Sequence, residues 1–287
     1  MRHEAGPERV PSWSRARSWA DAPTILPMIA TLAGMGVESP LMAYTLFTLA
    51  ERPDLELHVD RLSVAAWPLF LLHSNNRHWH SLFEIFAPYQ LLLCNPDASL
   101  IAVGHTVPLV WDGSEADLPS TIDEIIIRAE RDHANGQAPN TFSALAAMVA
   151  PERRGEQLSR ALLLEMKALA RRHGCGTLIA PVRPTLKSQY PLMPMARYVA
   201  WLRPDGAPFD PWLRVHWRLG AQPLQVAPNT MTVEGTIQDW EQWTGLAFPE
   251  SGAYVVPGAL QPVVMDCERD QGRYEDPNFW MRHATER

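Results

Sequence analysis

The stretch from Phe142 to Gly174, FSALAAMVAPERRGEQLSRALLLEMKALARRHG, constrains the fold more than any other part of the chain. Phe142–Val149 is an apolar run of strand length and reads as a buried central strand. Gly155–His173 places Leu158, Leu162, Met166 and Leu169 on one side of a long helix, and Gly174 stops it. Only a short turn from Pro151 to Gly155 separates the two. A second apolar strand, Thr177–Val182, follows the helix. Strand, helix and strand in this order predict an α/β layered sheet.

The rest of the chain is read around that unit. Its 287 residues suffice for one large core, or one core with a small appendage. Gln90–Cys94 and Leu100–Trp111 form a predicted hairpin across the turn signal Asn95-Pro96-Asp97. Leu118–Asn135 is a predicted helix with Ile122, Ile125, Ile126 and Ala129 inward. Leu57–Val64 alternates apolar and polar residues as a strand would, and Trp67–Phe86 carries helical spacings. Further helices are expected at Met193–Trp201, Trp212–Leu219 and Ile237–Trp243. Short strands are expected at Met231–Val233, Tyr254–Val256 and Pro262–Met265.

Residues 1–23 read as an arm. The apolar stretch Thr24–Ala50 is broken by Pro27, Gly34, Gly36 and Pro40, so each half falls short of the roughly 20 residues a spanning helix needs. Two short helices are expected instead, including Ser39–Glu51 with Ser39 as its cap. Membrane insertion and a signal peptide are not expected. Residues 1–55 are thus an N-terminal extension, and residues 56–287 the main domain.

Charge and composition exclude several functions. A net charge of −7 argues against general nucleic-acid binding, yet leaves room for one anion held by a local arginine cluster. Cys94, Cys175 and Cys267 lie far apart without zinc spacing, so they read as small residues of a reducing cytoplasm. His73, His78 and His80 share no helical face and have no acidic pair beside them, so no metal site is expected.

The turn before the long helix is where chemistry is expected. A helix start leaves backbone N–H groups unpaired at the positive end of its dipole, which suits a phosphate. Gly155 allows close backbone approach, while Arg153, Arg154 and Arg160 offer charge-assisted bonds.

These residues resemble the coenzyme A motif of the GCN5-related N-acetyltransferase family, approximately V-x-P-x-x-R-G-x-G-x-G/A-x-x-L. Val149, Pro151, Arg154, Gly155, Gln157, Ser159 and Leu162 stand at its positions, with Gln157 and Ser159 in place of glycines. The resemblance implies a mixed, mostly antiparallel central sheet flanked by helices. It implies that amides from Gln157 through Leu158 and Ser159 to Arg160 hold the coenzyme A diphosphate. The strand end Ala147–Val149 would lie along the pantetheine arm, and an amide near Met148 or Val149 would polarise the thioester. Tyr190 matches the family's thiolate-protonating tyrosine, with Tyr198 in reserve, and Arg183 replaces an asparagine. The runs APVRPTLKSQYPLMPMARY, PFDPWLRVHWRLGA and FPESGAYVVPGAL are similar to a bacterial subgroup of such transferases with undefined substrate.

The implied activity is transfer of an acyl group, acetyl first among them, from coenzyme A to a small-molecule amine. Glu250 or His105, or a water held by either, would be the base. Each of these residues also has a plain structural reading: Tyr190 as a core tyrosine, His105 as a satisfied strand histidine, Glu250 as a turn residue. Trp201, Trp212, Trp217, Trp240 and Trp243 fit either the core or an acceptor pocket. A non-catalytic acyl-coenzyme A module, O-acyl transfer and thioester decarboxylation remain alternatives on the same scaffold, and a homodimer stays open.

Overall fold

The apolar strand and the amphipathic helix that follows it set the layering, and the other elements pack around them. The computed structural model describes residues 44–285. In chain order its first half contains β1 (Thr45–Thr48), α1 (Glu56–Ala66), α2 (Ser81–Glu84), β2 (Leu91–Cys94), β3 (Leu100–Leu109), α3 (Ile122–Ala134) and β4 (Thr141–Val149). Next come α4 (Leu158–Arg172), β5 (Thr177–Val182), α5 (Met195–Val199), α6 (Pro211–Arg218) and β6 (Gln222–Gly235). The chain closes with α7 (Ile237–Thr244), β7 (Gly252–Tyr254), β8 (Val263–Asp266) and β9 (Gln271–Ala284).

The strands form one sheet in the order β1-β2-β3-β4-β5-β9-β8-β7, with β6 on the other side of β9. Every pairing is antiparallel except β4 with β5. That exception follows from α4, because a helical crossover returns the chain in the same direction.

Helix α4 buries Leu158, Leu162, Leu163, Met166 and Leu169 against Leu91, Leu93, Ala102 and Phe142 of the sheet. It sits so close to β3 that a Cβ on Gly104 would lie 2.6 Å from the Met166 Cε, so any larger residue there would have to displace the methionine tip. Helices α1 and α3 cover the opposite face. Val59 and Leu62 meet Leu92, Val103 and Met148, while Ile122, Ile125 and Ile126 meet Val107, Leu109 and Trp280. Burying each of these side chains contributes roughly 1.5–3 kcal/mol.

Several sequence expectations change. Leu57–Val64 is not a strand but most of α1. Its burial is the i, i+3 pair Val59 and Leu62, with Leu57 and Val64 exposed, and eight alternating residues disguised that spacing. Trp67–Phe86 is no single helix, since an extended segment at Ser74 separates a short 3-10 turn from α2. Of the expected Ser39–Glu51 helix, Thr45–Thr48 is an edge strand paired with Leu91–Cys94. Leu49–Glu51 form a turn after it, while residues 39–43 of that expectation and the arm before them lie outside the described residues. The short strand at Met231–Val233 is one part of the 14-residue β6. Strand β9 has no counterpart in the sequence reading, because Pro277 interrupts it. The structure tolerates that proline where β9 passes from β8 to β5. Among the described residues, no helix is long and apolar enough to cross a membrane.

Candidate active site

Strands β4 and β5 pair only through Thr141–Ser143 and Thr177–Ile179, then part. The cause is visible in β5. Gly176 O accepts from Thr285 N on the β9 side, so alternation turns the odd residues of β5 toward β4. The next donor on that side belongs to residue 181, which is proline and has no N–H. β4 also bulges at Leu145, where His105 opposes Ala146 while Thr106 opposes Ala144. The parted strands enclose a cleft of about 720 Å³ that passes through the sheet from the α4 face to the face carrying α1 and α3.

On the α4 face the cleft meets the helix start. Helices α3, α6 and α7 are capped by Thr121, Asp210 and Thr236, but no side chain caps α4. Its first N–H groups, at Leu158, Ser159 and Arg160, have no intrahelical acceptor. Gly155 has φ 90° and Gln157 φ 60°, both left-handed. The glutamine therefore adopts the backbone shape for which a glycine would ordinarily be used, and it does so with its side chain exposed.

The arginines separate. Arg154 lines the cleft and has no ion-pair partner among the described residues. Arg153 also lines it, but its guanidinium is held by Glu156 at 2.6 Å and Asn95 at 2.7 Å. Arg160 is exposed on the first turn and does not line the cleft. Met148 and Val149 separate too. Ala150 N donates to Ile101 O, so Met148, two residues earlier, also points its amide toward β3. Ala147 and Val149 turn theirs into the cleft. The Met148 thioether instead accepts from the Trp67 indole at 3.0 Å.

None of the acid and base candidates lines the cleft. Tyr190 packs edge-on against Trp201 and Phe209. Tyr198 donates to Asp210 at 2.8 Å, and burial together with that carboxylate holds its phenol well above the usual range. Glu250 is exposed, and its backbone carbonyl accepts from the Tyr254 hydroxyl. His105 is fully buried. The Gln90 amide nitrogen donates to Phe86 O and Thr106 O, so its oxygen receives the His105 Nδ1–H at 2.9 Å. The bare Nε2 lies in a box made by Trp79 and Phe83, and burial lowers the imidazole pKa to about 4.

Arg183 does line the cleft. Its Nε donates to both oxygens of fully buried Asp276 at 3.0 Å, and its Nη2 to Gly258 O at 2.7 Å. Burial opposes the guanidinium charge, but Asp276 and Tyr274 outweigh it and hold the pKa above its ordinary value.

Other cleft residues escaped the sequence reading: Trp67, Trp79, Thr185, His216 and Asn278. His216 places Nδ1 2.9 Å from His283 Nε2, leaving its own Nε2 unpaired, and burial keeps both rings well below the usual histidine range. Trp212, offered earlier as core or pocket, reaches the cleft, whereas Trp240 is buried against Phe70. The histidines once weighed as ligands are engaged separately: His73 stacks on Trp243, His78 meets Glu130, and His80 meets Arg77 O.

No family model matches the chain. The arginine N-acetyltransferase avaD of Aspergillus versicolor is 32% identical over 285 residues, covering 88% of this chain and 97% of the relative. Among solved structures, the loading GNATL domain of CurA from Lyngbya majuscula superposes with a TM-score of 0.55 at 17% identity, over 85% of this chain and 98% of that one. The GphF GNAT-like decarboxylase in complex with isobutyryl-CoA also gives 0.55, at 15% identity, over 84% and 100%. At those identities the two structures establish the fold.

Proposed function

Because this chain belongs to the GCN5-related N-acetyltransferase superfamily and is an enzyme of N-acetyltransferase type, we propose that it moves the acetyl group of acetyl-coenzyme A directly onto a small-molecule amine in the cytoplasm. The observation that carries this reading is the cleft between β4 and β5, which ends at the uncapped start of α4.

The amides of Leu158, Ser159 and Arg160 hold the diphosphate, with the exposed Arg154 as its counter-charge. Ala147 and Val149 offer N–H and C=O groups to the pantetheine amides, extending β4 where β5 has left it. One of these two amides, rather than that of Met148, polarises the thioester carbonyl and stabilises the oxyanion that develops there. The acceptor amine enters from the α1 and α3 face, beside Trp67 and Trp79. Water in the cleft takes its proton, since His105 and Glu250 lie outside. Arginine heads the panel of acceptors, given the relative's activity.

Free thiol release from acetyl-coenzyme A across an amine panel tests this reading. Amine-dependent thiol is expected. Binding of the thioester without thiol release for any amine would leave a non-catalytic module, and thiol-free loss of carbon dioxide from malonyl-coenzyme A would favour decarboxylation.

A further inference from the structure

On the α1 and α3 face of the cleft, a buried polar atom stands without a partner. Asn278 lies in β9 opposite Ala227 of β6, is 3% exposed and lines the cleft. It shares the parity of Trp280, which packs among the α3 residues, so its side chain is on the acceptor side of the sheet.

Its amide orientation is fixed by the neighbouring hydroxyl. Thr230 has one hydroxyl hydrogen, and this goes to Asp276 O at 3.0 Å. Thr230 Oγ1 can then only accept from Asn278, so the group facing it is Nδ2–H. The carbonyl oxygen Oδ1 is the atom left over, and it has no hydrogen-bond partner. A native fold seldom buries an acceptor unpaired, and one at the wall of a cleft calls for a donor on the ligand.

The surroundings narrow the donor. Trp79 and Trp67 supply aromatic surface to the same chamber. The segment carrying Asn76 is stapled to β6, with Ser74 bridging Val233 and Asn75 N donating to Thr232 O at 3.0 Å. That part of the cleft wall is therefore held in place. A planar cation with N–H groups in its plane can meet a carbonyl oxygen edge-on while its face lies along an indole.

Resting on the N-acetyltransferase reading above, we propose that Asn278 is a specificity-determining residue for the acceptor. Its Oδ1 accepts a hydrogen bond from a guanidinium group on the molecule to be acetylated.

Two variants and two acceptors test the proposal. Asn278→Leu keeps the branched shape and removes both the oxygen and the amide donor; Asn278→Asp keeps the oxygen, adds charge and lets the Thr230 hydroxyl turn toward it. Steady-state rates are measured with arginine and with norleucine, which has the same amino-acid end and no guanidinium. The expected result for Asn278→Leu is an arginine KM at least tenfold higher, with the acetyl-coenzyme A and norleucine KM values unchanged. Asn278→Asp is expected to match or lower the wild-type arginine KM.

An unmoved arginine KM in folded Asn278→Leu, or equal changes for arginine and norleucine, overturns the proposal. Should Asn278→Leu fail to fold, a raised arginine KM in Asn278→Asp overturns it. Wild-type protein that acetylates norleucine as well as arginine also overturns it, while the N-acetyltransferase reading stands. Wild-type protein that acetylates neither these nor any amine of the panel defeats that reading, and this inference with it.

Discussion

The two halves of the cleft are built in different ways. The half proposed for the donor comes mostly from one continuous stretch, Ala147–Ser159, where a strand end, a turn and a helix start follow one another. The half proposed for the acceptor is assembled from α1, the loop before α2, the start of α3, the Leu145 bulge, β6 and β9. A diphosphate-binding helix start needs few residues, mostly through backbone, so local sequence suffices to make it. A chamber that selects an amine needs side chains converging from many elements, and only the finished fold brings them together.

Arg183, just past β5, and Asp276, in β9, brace the wall of the cleft from behind. Arg183→Ala should have the largest effect of any single change, because it strands a fully buried carboxylate. We expect a loss of about 3–5 kcal/mol in urea unfolding. Arg183→Ala with undiminished stability would mean that the cleft wall does not depend on this pair.

Next in size is a change confined to the donor half. Arg154→Ala combined with Gly155→Asp removes a charge, adds an opposing one and forces a side chain into a left-handed turn. Coenzyme A binding followed by calorimetry should weaken by about 2–4 kcal/mol. Acceptor discrimination should stay as it was. Equal damage to both halves would break the comparison.

His105→Gln probes the acceptor face of the sheet through pH. The buried imidazole has its pKa lowered to about 4 from 6.5, so the unfolded chain binds the proton first. Stability held above pH 6.5 is therefore lost as pH falls toward 4, by at most roughly 3 kcal/mol for this group. The variant should show a shallower fall in melting temperature across that window. Some slope should persist, because His216 and His283 are depressed in the same direction.

The smallest effect is expected at Asp123. Its carboxylate receives Arg77 N at 3.0 Å and His78 N at 3.2 Å, which pins the loop carrying Asn76 and Trp79. Asp123→Asn should raise the acceptor KM about fivefold, near 1 kcal/mol, and leave the acetyl-coenzyme A KM alone.

The same contrast governs what could be read from sequence. The apolar run Phe142–Val149 and the helix after it carry their own periodicity, and both stand close to where they were expected. The hairpin of β2 and β3 announced itself through Asn95-Pro96-Asp97. Gln157 falls inside the helix expected from Gly155, but its left-handed backbone, which the residue type does not announce, delays the start to Leu158. Asn278 was hidden twice. Its strand contains Pro277, which reads as a breaker, and its unpaired oxygen depends on Thr230, a residue 48 positions away. Tyr190 matched a position in a motif, yet the chain after β5 folds it into an aromatic cluster. Trp67 and Trp79 reach the cleft because the segment before β2 is a series of short turns, although its apolar residues fall at helical spacings.

The most direct test is the structure of the protein crystallised with acetyl-coenzyme A. The account predicts diphosphate oxygens within hydrogen-bond distance of the Leu158, Ser159 and Arg160 amides, with the pantetheine arm against Ala147 and Val149. Thioester density elsewhere, with that helix start bare, would contradict it.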